Sequence, residues 1–169
     1  LNAVTFINEN KDFAVANNGI ILKTNDSGAT WVKNSFTYDN INEIQKVDDF
    51  YYVQGGDHLY KSEDLKSWQE LSSPVISTGY IMDFKMVTPN IAYSVVGNAG
   101  SSEIYKSIDG AQTWNLLPNT YGGDYEISFL NENLGFRSGS YFYIIFYGVV
   151  TWIKIITPFY FYNVKKTFK

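Results

Sequence analysis

Thr24-Asn25-Asp26-Ser27-Gly28-Ala29-Thr30-Trp31 is the stretch on which the reading of this chain turns. The same order of residue types returns as Ser107-Ile108-Asp109-Gly110-Ala111-Gln112-Thr113-Trp114. A contracted copy is Ser62-Glu63-Asp64-Leu65-Lys66-Ser67-Trp68, and a decayed one is Ile145-Phe146-Tyr147-Gly148-Val149-Val150-Thr151-Trp152. The 169-residue chain has 4 Trp, and each closes one of these boxes. The boxes recur roughly every forty residues, a period that marks a solenoid, a propeller or another array of stacked modules.

Around each box the sequence alternates short apolar runs with turn residues. In the first unit Ala3-Val4-Thr5-Phe6-Ile7, Asp12-Phe13-Ala14-Val15-Ala16 and Ile20-Ile21-Leu22-Lys23 read as strands. Asn17-Asn18-Gly19 between the last two tolerates the positive φ of a tight hairpin. A fourth strand starts at Trp31-Val32-Lys33. The second and third units repeat this order, and Ile127-Ser128-Phe129-Leu130-Asn131-Glu132-Asn133 opens a fourth much as Val4-Thr5-Phe6-Ile7-Asn8-Glu9-Asn10 opens the first. Aromatics make up 18% of the chain, which suits half-buried pleated surfaces, and no long helical pattern of apolar residues is present. The expectation is an all-β propeller domain of about four four-stranded antiparallel blades. The units span residues 1–37, 38–75, 76–119 and 120–158, with 159–169 as a tail. The longest loops are expected at Gly97–Ser102 and Asn119–Tyr125.

The chemistry of the box is that of a self-capping turn. A hairpin between third and fourth strands leaves amides pointing into the bend. The carboxylates of Asp26, Asp64 and Asp109 are short enough to accept them, as in Asx-turns. The hydroxyls of Thr24, Ser62 and Ser107 precede them, and Gly28 permits a left-handed backbone at the bend. Trp31, Trp68, Trp114 and Trp152 are expected to bury their rings between neighbouring sheets, where truncation to Ala costs about 3–5 kcal/mol. A catalytic acid is needed once, whereas these Asp residues recur in each unit. Their role is therefore read as structural. Tyr147 stands where the last box would carry Asp, so that turn is expected to be weaker.

Charge excludes other classes. The net charge is −4. All 17 acidic residues lie before position 133, and Arg137, Lys154, Lys165, Lys166 and Lys169 are the only charges after it. An acidic body argues against nucleic acid as a partner. There is no Cys, hence no disulfide, thiolate metal site or Cys nucleophile. His58 is the single His and has no second ligand in sequence, so neither a metal site nor a triad is read. No cofactor is expected. The apolar stretch 141–162 has the length of a membrane span but carries Lys154 centrally and Pro158, so a decayed fourth blade is preferred. The sequence opens at Leu1 without Met or leader, which fits a fragment or a mature chain.

The pattern Val4-x-Phe6-x-Asn8, Phe13-Ala14-Val15, Gly19-x-Ile21-x-Lys23-Thr24-x-Asp26-x-Gly28-x-Thr30-Trp31 resembles the Asp-box, or BNR, repeat. It is similar to the repeat of photosystem II assembly/stability-factor-like propellers, and the fold it implies is that of the sialidase superfamily. The resemblance is good over residues 1–135 and weak over 136–158. It implies a fragment of a larger ring and a secreted, periplasmic or envelope location. The function it implies is a non-catalytic scaffold or binding module for a protein or glycan partner. The alternative is a piece of a carbohydrate-active enzyme. A sialidase needs an arginine cluster to clamp its substrate, and Arg137 is alone in a Phe136-Arg137-Ser138-Gly139 context that departs from that family's motif. Asp48, Asp49, Asp83 and Asp124 are candidates for a glycosidase carboxyl pair by residue type alone. Asn98, Tyr121 and Tyr125 are candidate binding residues on the long loops, since aromatic rings among polar residues suit sugars and proteins.

Overall fold

The computed structural model describes residues 1–75, 79–98, 100–118, 123–139, 143–146 and 149–151. Among them there is no helix, and sixteen strands form four sheets of four. The first sheet is β1 (Ala3–Phe6), β2 (Asp12–Val15), β3 (Ile20–Thr24) and β4 (Val32–Ser35). The second is β5 (Ile41–Val47), β6 (Phe50–Gly55), β7 (His58–Ser62) and β8 (Gln69–Leu71). The third is β9 (Tyr80–Met86), β10 (Ala92–Asn98), β11 (Ser101–Ser107) and β12 (Asn115–Leu116). The fourth is β13 (Asp124–Asn131), β14 (Leu134–Gly139), β15 (Tyr143–Phe146) and β16 (Val149–Thr151). Each sheet is a simple antiparallel meander. The first strands of neighbouring sheets approach one another, β1 to β5, β5 to β9 and β9 to β13, which places them innermost around a common axis. This is the expected all-β propeller architecture.

Alternation along the strands gives each sheet two faces. Three apolar cores fill the gaps between sheets. Phe13, Val15 and Ile21 of the first sheet meet Ile44, Val53 and Leu65 of the second. Tyr52 and Leu59 of the second meet Phe84, Met86 and Ala111 of the third. Tyr93, Val95 and Ile104 of the third meet Ile127 and Phe129 of the fourth. Side chains of the inner strands also stitch these seams. Thr5 Oγ1 donates to the Ile44 carbonyl at 2.8 Å, and Gln45 Nε2 donates to the Phe84 carbonyl at 2.6 Å.

Three local expectations change. The hairpin after Gly97 is shorter than six residues, because β10 and β11 stay paired to Asn98 and Ser101. Tyr125 lies in β13 and not on a loop. The Gly135–Ile145 pair puts Ile145 at the register of Thr24, where the decayed box should begin. There β15 and β16 are paired up to Phe146 and Val149, and Tyr147, expected to weaken the turn, lies outside the described residues. Trp152 and the rest of 152–169 lie outside the described residues. Among the described residues, no helix is long and apolar enough to cross a membrane.

Candidate functional site

The box turns are built around a buried hydroxyl and a carboxylate that is exposed at Asp26 and Asp64 and half-buried at Asp109. Thr24 Oγ1 donates to Asp26 Oδ1 at 2.7 Å and accepts from the Gly28 amide at 2.9 Å. Thr30 gives its amide to Asp26 at 2.8 Å and its hydroxyl at 2.5 Å. The third box repeats this: Ser107 Oγ donates to Asp109 at 2.8 Å, the Ala111 amide reaches Ser107 at 2.9 Å, and the Thr113 amide and hydroxyl reach Asp109 at 2.9 and 2.6 Å. In the contracted box the Lys66 and Ser67 amides both donate to Asp64 at 2.8 Å.

Hydrogen bonds to a carboxylate favour its charged form. The Thr30 hydroxyl and amide, followed by Thr24, hold Asp26 down at about 2, and Thr113, followed by Ser107, does the same for Asp109. The Ser67 and Lys66 amides lower Asp64. Such groups are committed anions within their own turns and make poor acid catalysts near neutral pH.

The bend shows why Gly is not obligatory. Gly28, Leu65 and Ala111 hold equivalent places, each offering its amide to the box hydroxyl, with φ of 87°, 65° and 65°. Leu65 and Ala111 accept left-handed strain while their side chains fill the seam to the preceding sheet.

The indoles divide. Trp68 stacks on Phe36 at 4.4 Å between ring centroids, in the seam between the first two sheets. Trp114 packs edge-on to Phe84 and donates Nε1 to the Ser72 carbonyl at 2.9 Å, in the next seam. Trp31, expected between sheets, is instead exposed and donates to its own Gly28 carbonyl at 3.1 Å. No sheet among the described residues lies against that side of the first sheet.

A second feature was not singled out in sequence. At one end of the axis a cavity of about 460 Å³ opens between the inner strands. Glu43, Asp83, Lys85, Glu126 and Ser128 line it, with Gln54 from β6. Lys85 bonds to Glu43 and lies 3.4 Å from Asp83. Burial raises the Glu43 carboxyl, opposed in part by Lys85. Burial works to lower the Lys85 ammonium, but Asp83 and Glu43 outweigh it and raise it. Asp83 also accepts the amides of Phe84 at 2.8 Å and Ile127 at 2.7 Å, tying the third sheet to the fourth. The signal available in sequence was charge on first strands, whose positions converge only once the sheets are set round an axis.

Of the remaining candidates, Asp48 and Asp49 sit at the turn between β5 and β6, away from the cavity lining. Asp124 begins β13. Asn98 ends β10, exposed, its carbonyl accepting from Ser101 Oγ at 3.0 Å. Tyr121 lies outside the described residues, and only the backbone of Tyr125 is described. His58 Nδ1 meets Glu70 Oε1 at 2.8 Å on the outer rim, and Glu70 raises its pKa above 6.5. Among the described residues no group of three or more His, Asp or Glu is arranged to hold a metal ion.

No protein-family model matches the chain, and no curated protein matches it in sequence. Solved structures do. YCF48 bound to D1 peptide is 16% identical with a TM-score of 0.63, over 84% of this chain and 48% of that one. A GH74 xyloglucanase from Xanthomonas campestris is 14% identical with a TM-score of 0.65, over 80% and 25%. An ancestral GH74 enzyme is 12% identical with a TM-score of 0.62, over 83% and 24%. The chain thus spans about half the length of the first and about a quarter of the other two. At such identities the likeness is one of fold. The four meander sheets around one axis, together with these likenesses, make the chain a β-propeller in fold, of the kind seen in YCF48 and in GH74 enzymes.

Proposed function

We propose that this chain is a non-catalytic propeller module that binds a protein partner through the axial cavity. The observation that carries the proposal is the cavity itself, walled by inner strands of several sheets and carrying Glu43, Asp83, Lys85 and Glu126 in its lining. Glu43, Asp83 and Glu126 outnumber Lys85 there, which favours a polar or basic segment of the partner. A YCF48 structure of similar fold is that of the protein bound to a D1 peptide, which supports a peptide as the class of ligand. A secreted or envelope location belongs to the same proposal and rests on the resemblance of the repeat.

The second reading, a piece of a glycoside hydrolase, is favoured by the GH74 likenesses and by several carboxyls sharing one cavity. Against it, Asp83 is engaged by two backbone amides, and Glu43 by Lys85. One experiment separates them. The chain and its Glu126→Lys variant are titrated with basic peptides and with xyloglucan oligosaccharides, and sugar release is followed in parallel. Peptide binding lost in the variant supports the proposal. Sugar release by the wild-type chain overturns it, as does peptide binding indifferent to the variant.

A further inference from the structure

The inner strands carry a pattern that the seams between sheets do not require. By register Glu43, Asp83 and Glu126 hold one level of β5, β9 and β13, and Ala3 holds it in β1. Two residues further on, Thr5, Gln45, Lys85 and Ser128 hold the next level. Thr5 and Gln45 each reach the following sheet, at the carbonyls of Ile44 and Phe84. Lys85 instead turns back to Glu43 of the preceding sheet and to Asp83 of its own strand. The seam ahead of it is tied by the Asp83 carboxylate and the Ile127 amide. The ammonium of Lys85 thus stands among the carboxylates of the level above its own.

Gln54 adds a buried acceptor to the same place. It is the strand partner of Glu43 and is 2% exposed. Its Nε2 donates to the carbonyls of Ile81 at 3.0 Å and Gly56 at 3.3 Å, which fixes the amide and leaves Oε1 for the cavity. Val15 and Val95 hold the equivalent position in the first and third sheets, so packing does not demand an amide there. Glu126 is exposed on the cavity and forms no ion pair among the described residues. Its neighbour Ile127 gives the amide that holds Asp83, which keeps Glu126 beside the other carboxylates.

We propose that this level of the cavity takes one basic side chain of a bound peptide, a Lys or an Arg, and that Lys85 sets that number by occupying Glu43 and Asp83 itself. The proposal rests on the reading of the cavity as a peptide site. An ammonium or guanidinium brought to Glu126 and Gln54 Oε1 meets acceptors and makes charge-assisted hydrogen bonds. Met82 and Ile127 in the same lining suit the methylene stem of such a side chain. A second cation meets the like charge of Lys85, which opposes it. Lys85 is therefore a specificity-determining residue, the cation that the chain supplies to its own site.

The test is isothermal titration at physiological ionic strength, where exposed charges farther apart than about 8 Å are screened. The probes are short Gly-Ser peptides carrying no Arg, one Arg, or two Arg placed two residues apart so that both lie on one side of an extended segment. The wild-type chain binds the one-Arg peptide about tenfold tighter than the neutral one, and the second Arg adds less than about threefold. Lys85→Met frees Glu43 and Asp83, so the second Arg then adds about tenfold, and Glu43→Gln in the same chain removes that gain. A second Arg that adds about tenfold in the wild type overturns the inference, and so does a folded Lys85→Met chain that responds as the wild type does. Either result leaves the cavity standing as a peptide site. The wild-type comparison needs no variant and decides even if Lys85→Met does not fold. Failure of every chain to prefer one Arg over none overturns the inference and the peptide reading together.

Discussion

Trp114 and Trp31 close turns that share the same hydroxyl and carboxylate bonds, yet one ring packs edge-on to Phe84 and the other is 43% exposed. The turn is a local object: a hydroxyl, a carboxylate and the next few amides are enough to make it. The seam is not local, because it needs the preceding sheet. The first sheet therefore separates two contributions that are fused elsewhere in the molecule, a turn without a seam against a turn with one.

The largest expected contrast is in the cores. Phe84→Ala empties the middle of the second seam and costs about 3–5 kcal/mol, while Val4→Ala at the same register changes stability by less than about 0.5 kcal/mol. Urea unfolding of the two variants measures both. Next come the stitches. Asp83→Ala strands the Ile127 amide and costs about 1–3 kcal/mol, whereas Thr5→Val removes one neutral hydrogen bond to Ile44 and costs about 0.5–1.5 kcal/mol.

Acid treats the turns alike, whichever seam they face. Hydrogen bonds within their turns hold Asp26 and Asp109 down at about 2, below the ordinary carboxylate value of 3.8. Their stabilisation is fully present above about pH 4 and is lost as pH falls through 4 towards 2. Asp26→Asn and Asp109→Asn each flatten that part of the melting-temperature profile, and by similar amounts. A much larger effect at Asp109 would mean that the turn depends on its seam. The smallest effect is at the rim. Glu70 raises His58, so the pair stabilises below 6.5 and its contribution fades as pH rises through the higher folded pKa. In Glu70→Gln the His58 ring protons titrate at lower pH by NMR, with little change in stability, since the pair is exposed.

The fold was legible because its unit is written several times. Three boxes with Asp between a hydroxyl and a Trp fix the third hairpin of three sheets, and the alternation around them fixes the strands. The fourth hairpin was not legible. Spacing to Trp152 suggested a box, but the strands pair up to Phe146 and Val149, and Tyr147 lies outside the described residues. Trp31 misled for the opposite reason: its motif is intact, but burial is a property of neighbours. The axial cavity was hidden because Glu43, Lys85 and Glu126 belong to different units and meet only around the axis. Asp83 was noticed as a carboxyl, while its bond to the Ile127 amide could not be read from sequence.

The claim that one indole position is a seam filler only where a sheet precedes it is tested most directly by truncating it twice. Trp114→Ala and Trp31→Ala are unfolded side by side in urea under identical conditions. The account predicts a loss of about 3 kcal/mol for the first and less than about 0.5 kcal/mol for the second. Equal losses would contradict it, because the ring would then be stabilising its own turn and not the contact between sheets.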